Sequence, residues 1–192
     1  MLRFYNRIIK LFTRLNSSLF SLLIFGSLQH ITIGRNVNIT GKRISIAKGC
    51  HVMDNSSILG DVVIRENVFV HENVLIRSFG ENITIGENTT INRNTNILSK
   101  VSIGANCSIA PNVVIVGANH IFSNKSKTIK EQGSTYRGII IEDDVWIAAN
   151  VTVCDGVRIG KGAVIGAGAV IVNNIPPYTV AVGIPAKVIK NR

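Results

Sequence analysis

Four histidines and three cysteines are the residues of this chain best suited to proton transfer, nucleophilic attack or metal binding. Cys50, Cys107 and Cys154 are far apart and odd in number, with no Cys-x-x-Cys or Cys/His ligand spacing. That pattern fits a reduced chain with buried thiols. A zinc site of the carbonic-anhydrase kind would need three histidines to converge. Of His30, His51, His71 and His120, only His120 stands beside the long break in the chain's repeating pattern. A histidine there is anchored yet accessible, and an imidazole exchanges protons near neutral pH. A merely solvated loop histidine is the alternative. Gly166-Ala167-Gly168 lies inside the repeat and not between a strand and a helix, so it is no phosphate-binding loop. Basic residues are not interleaved with aromatics, which leaves nucleic-acid binding unsupported.

The elements that must position His120 are legible in a period of six. An Ile or Val recurs every six residues from Ile33 to Ile115 and again from Ile141 to Ile171, at twenty positions in all. The exceptions are steps of seven (Ile39 to Ile46), nine (Ile76 to Ile85) and twenty-six (Ile115 to Ile141). Neither a helix, with its period of 3.6, nor a simple strand, with its period of 2, explains this. Short strands separated by corners of Gly, Asn, Asp and Lys do. Three such faces close a triangular coil of 18 residues, and coils stack about 4.8 Å apart. The spacing predicts six to seven coils, a prism roughly 30 Å long. Small residues such as Gly34, Gly86, Gly104, Ala110, Gly160 and Gly166 suit the corners. The chain thus divides into a helical segment over 1–28, a parallel β-helix over 29–175 with an excursion over 116–138, and a tail over 176–192. Pro176-Pro177 predicts a stop to strand pairing, after which the tail covers the end of the prism or reaches a neighbouring subunit.

Charge is uneven. Residues 1–53 carry eight basic groups and no acid, while the other 139 residues carry thirteen basic and eleven acidic groups. Arg3, Arg7, Lys10 and Arg14 fall on one helical face, with Phe4, Ile8, Leu11, Phe12 and Leu15 on the other. Such a helix can lie on a membrane surface or pack on a subunit. The apolar stretch from Leu19 to Leu28 is too short to span a bilayer and carries no A-x-A cleavage site. The expected location is cytoplasmic, with peripheral contact to the inner face of the cell membrane through residues 1–28.

Residues 138–189 combine a lone Trp in VWI, then IGAGAV, then PPYTVAVGIPAKVI. Upstream stand INRN at Asn92, IAPNVVI, and VGANH ending at His120. Together these resemble the hexapeptide-repeat acetyltransferases, in the branch of galactoside, maltose and polysaccharide O-acetyltransferases. The resemblance implies an all-β, left-handed parallel β-helix, a homotrimer with active sites between prisms, and acetyl-CoA as co-substrate without a metal. It also assigns roles. His120 matches the catalytic base that takes the proton of an acceptor hydroxyl, a task suited to imidazole. Asn92 matches an acceptor-contacting residue, or else is a corner asparagine stabilising a turn. Asn94 and Tyr136 join it as acceptor-binding candidates. Trp146, Ala149, Ala167, Lys187 and Lys190 match positions that contact coenzyme A: an apolar wall, two positions without bulk, and two cations for its phosphates. The Ala149 amide is also placed to stabilise an oxyanion.

Three departures narrow the expectation. WIG is here Trp146-Ile147-Ala148, the hydroxyl common at position 149 is absent, and Ser99-Lys100 occupy the region where relatives place an acid. They favour the branch that acetylates a sugar hydroxyl in a bacterial capsular polysaccharide, exopolysaccharide or O-antigen. The alternative is N-acetylation of an amino sugar or nucleotide amino sugar. A non-catalytic solenoid is more remote, because Thr32, Thr84, Thr90 and Thr95 form no regular ladder.

Overall fold

Each turn of the coil begins on a two-residue strand, because corner residues leave room for little more. On the first face these strands are β1 (Thr32–Ile33), β3 (His51–Val52), β5 (Phe69–Val70), β7 (Thr90–Ile91), β10 (Ser108–Ile109), β15 (Trp146–Ile147) and β18 (Val164–Ile165). The structure, a computed structural model, describes residues 30–192, so the helical segment expected over 1–28 lies outside the described residues.

The second and third faces share one sheet. In the early coils a single strand bends around their common corner: β2 (Asn38–Ile46), β4 (Ser57–Ile64) and β6 (Leu75–Ile85). Later coils split it. The second face continues through β8 (Asn96–Ser99), β11 (Val114–Gly117), β16 (Thr152–Val153) and β19 (Val170–Ile171). The third continues through β9 (Val101–Ile103), β14 (Ile139–Ile141) and β17 (Arg158–Ile159). All these pairs are parallel, giving a solenoid of about eight turns that is consistent with left-handed winding.

The repeat's Ile and Val point inward as expected: Ile58, Ile76, Ile97, Ile109, Ile147 and Ile165 are fully buried. Fully burying each such side chain stabilises the fold by about 1.5–3 kcal/mol. A second inward column, two residues earlier, is equally buried and includes Val62, Val68, Val113, Val151 and Ala169. Strand alternation puts i and i−2 on the same face. Where this column is polar, it bonds to a corner carbonyl of the next coil. Ser56 Oγ donates to His71 O at 2.8 Å, Thr89 Oγ1 to Gly104 O at 2.9 Å and Thr95 Oγ1 to Ala110 O at 3.1 Å. Cys50 Sγ donates to Arg65 O at 3.0 Å and Cys107 Sγ to Glu142 O at 3.1 Å in the same manner. Two of the three cysteines are therefore corner staples. Burial pushes both thiols up, away from the thiolate.

Corners turn through asparagines with positive φ, for example Asn67, Asn88, Asn94 and Asn106 at φ 56–61°, a region this side chain tolerates. Their amides stack into ladders: Asn67 Nδ2 donates to Asn88 Oδ1 at 3.2 Å, and Asn88 Nδ2 to Asn106 Oδ1 at 3.3 Å.

The solenoid is longer than the period of Ile and Val indicates, and six to seven coils is an undercount. Ile175 bridges to Ile159, and β20 (Thr179–Gly183) adds a parallel rung on β18. Pro176-Pro177 does not end pairing, because it sits at a corner, where no ladder hydrogen bond is lost, packed against Gly160. The last strand, β21 (Ala186–Asn191), then folds back antiparallel on β20. Arg192 fixes the end, donating to Asp144 Oδ2 at 2.8 Å and Gly162 O at 3.0 Å.

Candidate active site

The excursion leaves the prism at the corner between the second and third faces, over Lys100. Gly117 is required at the exit, since a Cβ there would lie 2.0 Å from Lys100 O. At the return, Gly138 has φ +89° and its N–H donates to Asp155 Oδ1 at 2.7 Å. Ile139 N then donates to Lys100 O at 3.0 Å.

Between these roots stands an arm. Two short strands, β12 (Asn119–His120) and β13 (Ser134–Thr135), pair antiparallel, with His120 opposite Ser134. Beyond them comes one turn of helix, α1 (Ile129–Gln132), with no buried residue. Polar bonds hold it instead. Thr128 and Glu131 form a capping box, and the bonds Glu131 receives hold its carboxyl below its usual range. Gln132 Nε2 donates to Asn124 O at 3.0 Å and Lys127 O at 3.2 Å, while its Oε1 accepts from Asn124 N at 2.9 Å.

His120 is exposed on this arm, and Ser134 Oγ lies 3.4 Å from its Nδ1. With the proton on Nδ1, the ring donates to Ser134 and keeps the Nε2 lone pair free for proton transfer. Nε2 has no hydrogen-bond partner among the described residues. Ser134 is a neighbour of His120 that the sequence did not reveal; only the β12–β13 register brings it to the histidine. The capping box had a signal in the sequence, Thr-x-x-Glu at 128–131. Tyr136, exposed, stands on the return limb of the same arm.

The other candidates gather elsewhere, on the first face, at its corner with the second and at its far end. Asn92 follows β7 and donates from both N and Nδ2 to Ile109 O, at 2.9 and 3.1 Å. Its Oδ1 has no partner among the described residues. Asn94 is a ladder asparagine, with φ 61° and Nδ2 donating to Asn112 Oδ1 at 3.2 Å. Two rungs beyond Thr90, Trp146 is 52% exposed between Ser108 and Val164. Ala149 and Ala167 stack at that corner one coil apart, where Gly168 N donates to Ala149 O at 2.9 Å. The N–H groups of Ala149 and Ala167 have no partner among the described residues. Two free backbone donors beside an exposed indole suit an extended amide-bearing chain. Lys187 and Lys190 are exposed on β21, paired in register with Val182 and Val180 at the end of this face.

Within one chain, the arm's root and the first face lie on opposite sides of the triangular prism. His120 and Tyr136 form one half of the candidate set; Asn92, Trp146, Ala149, Ala167 and the two lysines form the other.

The stacked repeats are shared with known proteins. The bacterial transferase hexapeptide family (six repeats) matches residues 82–117 and 138–173, on either side of the excursion. A 2,3,4,5-tetrahydropyridine-2,6-dicarboxylate N-acetyltransferase of Brevibacillus brevis is 52% identical over 52 residues, 27% of this chain and 22% of its own length. The match thus spans about a fifth of that relative's length. The polySia-specific acetyltransferase NeuO has a TM-score of 0.58 at 26% identity, over 84% of this chain and 80% of that chain. A galactoside acetyltransferase in complex with coenzyme A has a TM-score of 0.52 at 35% identity, over 59% of this chain and 60% of that chain. The period of six, the stacked coils and the two matched segments show that residues 82–117 and 138–173 are repeats of the bacterial transferase hexapeptide kind.

Proposed function

We propose that the protein transfers an acetyl group from acetyl-CoA to a hydroxyl of a saccharide. The observation that carries this reading is His120, exposed on a hydrogen-bonded arm with one ring nitrogen beside Ser134 and the other free. Support for the donor comes from Trp146 and the unpaired amides of Ala149 and Ala167, together with the coenzyme A bound to the galactoside enzyme. Support for a saccharide comes from NeuO and that same enzyme.

The pantetheine arm runs along the first face beside Trp146, and its phosphates meet Lys187 and Lys190. The acceptor lies at Asn92, with Asn94 and Tyr136 beside it. His120 Nε2 removes the hydroxyl proton as the oxygen attacks the thioester carbonyl. The Ala149 N–H stabilises the oxyanion. Collapse expels the thiolate, which takes the proton from the imidazolium, giving an acetyl ester and free coenzyme A. No acyl-enzyme is needed, in keeping with the buried, raised thiols of Cys50 and Cys107. Three copies around an axis would join each arm to a neighbour's first face.

Thiol release from acetyl-CoA, measured with saccharide acceptors, tests the assignment. His120→Ala should lower kcat by about 10²–10⁴-fold, the usual loss for a general base, with the fold intact. Near-normal turnover by that variant would falsify it. A second reading, N-acetylation, is favoured by the match to the Brevibacillus enzyme. Mild base separates the two, since it cleaves an acetyl ester and spares an amide.

A further inference from the structure

Half of the described cations on the prism have an ion-pair partner. Arg35 meets Asp54 at 2.7 Å, Arg43 meets Asp61 at 2.6 Å, Arg158 pairs with Glu142 and Arg192 meets Asp144 at 2.8 Å. Lys48 and Arg93 add looser pairs with Glu66 and Glu72. The arm is different. Residues 117–138 carry Lys125, Lys127, Lys130 and Arg137 against a single acid, Glu131. Glu131 is turned to the helix cap, accepting from Thr128 N at 2.9 Å and Thr128 Oγ1 at 2.8 Å. Lys100 lies under the arm's root, and Asp155 there is engaged with the backbone N–H groups of Arg137 and Gly138. None of the five cations has an ion-pair partner among the described residues, and all five are exposed.

Lysines need not be held by internal acids to stay on a surface, but five unpaired cations around one catalytic arm create a local positive field. Lys125, Lys127 and Lys130 fall within six residues of a turn fixed by Gln132. That spacing is comparable to a Debye length, about 10 Å at 0.1 M salt, so their fields add. Such a field raises the local concentration of anions and repels cations.

We propose that the acceptor is an anionic saccharide, bearing carboxylate or phosphate groups, which the lysines of the arm draw to His120. This rests on the acetyl-transfer reading above but concerns a separate step, acceptor capture. Acetyl-CoA is the other anion in the reaction; its phosphates are met by Lys187 and Lys190 on the first face, so the arm selects the acceptor.

The test is binding without acetyl-CoA, by calorimetry on the full chain, with a galacturonate hexasaccharide against a neutral galactose hexasaccharide. The acidic probe should bind at least about tenfold more tightly at 25 mM salt, and the difference should collapse at 250 mM. The triple variant K125Q/K127Q/K130Q should weaken acidic binding about tenfold, each exposed contact contributing a few-fold. Arginine at the same three positions should restore it, and Lys42→Gln, on the prism, should change nothing. Equal binding of the two probes would overturn the proposal. So would a triple variant that loses affinity for acetyl-CoA instead, which would assign the lysines to the donor. Loss of binding to phosphatidylglycerol vesicles with glycan binding intact would assign them to a membrane and overturn it too. If charge-dependent glycan binding is found but no thiol is released from acetyl-CoA, the acetyl-transfer reading fails and acceptor capture stands.

Discussion

Ile97 and His120 are 23 residues apart in sequence and sit in opposite physical settings. Ile97 is fully buried in a stacked coil, where each neighbour repeats its own environment. His120 belongs to an arm whose helix buries nothing and whose order comes from a capping box, Gln132 and two glycine roots. The prism gains stability from apolar burial that any aliphatic repeat could supply. The arm's helix gains none, and what the arm keeps is a set of polar contacts, one of them between Ser134 and His120. On the proposed function, stability and chemistry are carried by different segments of the chain.

A mutation in each region separates the two settings. Ile97→Ala should cost about 2–5 kcal/mol of stability by leaving a cavity in the core, measured by denaturant unfolding. Its kcat per folded molecule should stay near wild type. Ser134→Ala should do the reverse. Loss of one hydrogen bond to His120 is worth about 0.5–1.5 kcal/mol, which lowers kcat about two- to twelvefold with the unfolding midpoint unchanged. If Ile97→Ala abolished kcat at full folding, or Ser134→Ala changed stability alone, the division of labour would be wrong.

Acid should act on the prism in a smaller, graded way. The backbone N–H of Arg35, and then its guanidinium, hold Asp54 below the usual carboxylate range. The backbone N–H of Lys161, and then Arg158, do the same for Glu142. A folded pKa below the unfolded value gives stability that is present above the unfolded pKa, about 4. It is lost as pH falls through the lower folded value. Thermal unfolding should therefore be flat from pH 5 to 8 and fall below about pH 4. Neutralising Asp54 and Glu142 as amides should shrink that fall.

Legibility in the sequence followed the same division. Twenty Ile or Val positions exposed the coil, because a buried column tolerates few residue types and repeats with the period of the backbone. The second inward column was hidden, since Ser56, Thr89, Cys107, Val113 and Ala169 share burial but not chemistry. Each fits because a small polar group can bond to a corner carbonyl while an aliphatic one fills space. The last coil was hidden for a related reason: Ala181 stands where an Ile or Val would have continued the count. His120 was visible as the histidine at the break, but Ser134 was not. Its role depends on a two-residue register across a loop of thirteen, which no periodicity encodes. Nor could spacing show that the Ala149 and Ala167 amides are unpaired, which follows from the coil geometry at their corner.

On the proposed function, the arm of one copy and the first face of another make one site. Mixing two inactive variants tests it most directly. His120→Ala removes the base, and Ala149→Trp fills the position beside the proposed donor channel. Each homo-oligomer should be inactive. After unfolding and refolding together at equal amounts, each mixed trimer should hold one site that pairs an intact arm with an intact face, about a quarter of all sites in the random population. Thiol release from acetyl-CoA should then recover to about a quarter of the wild-type rate. No recovery, in mixed oligomers shown to have formed, would contradict it.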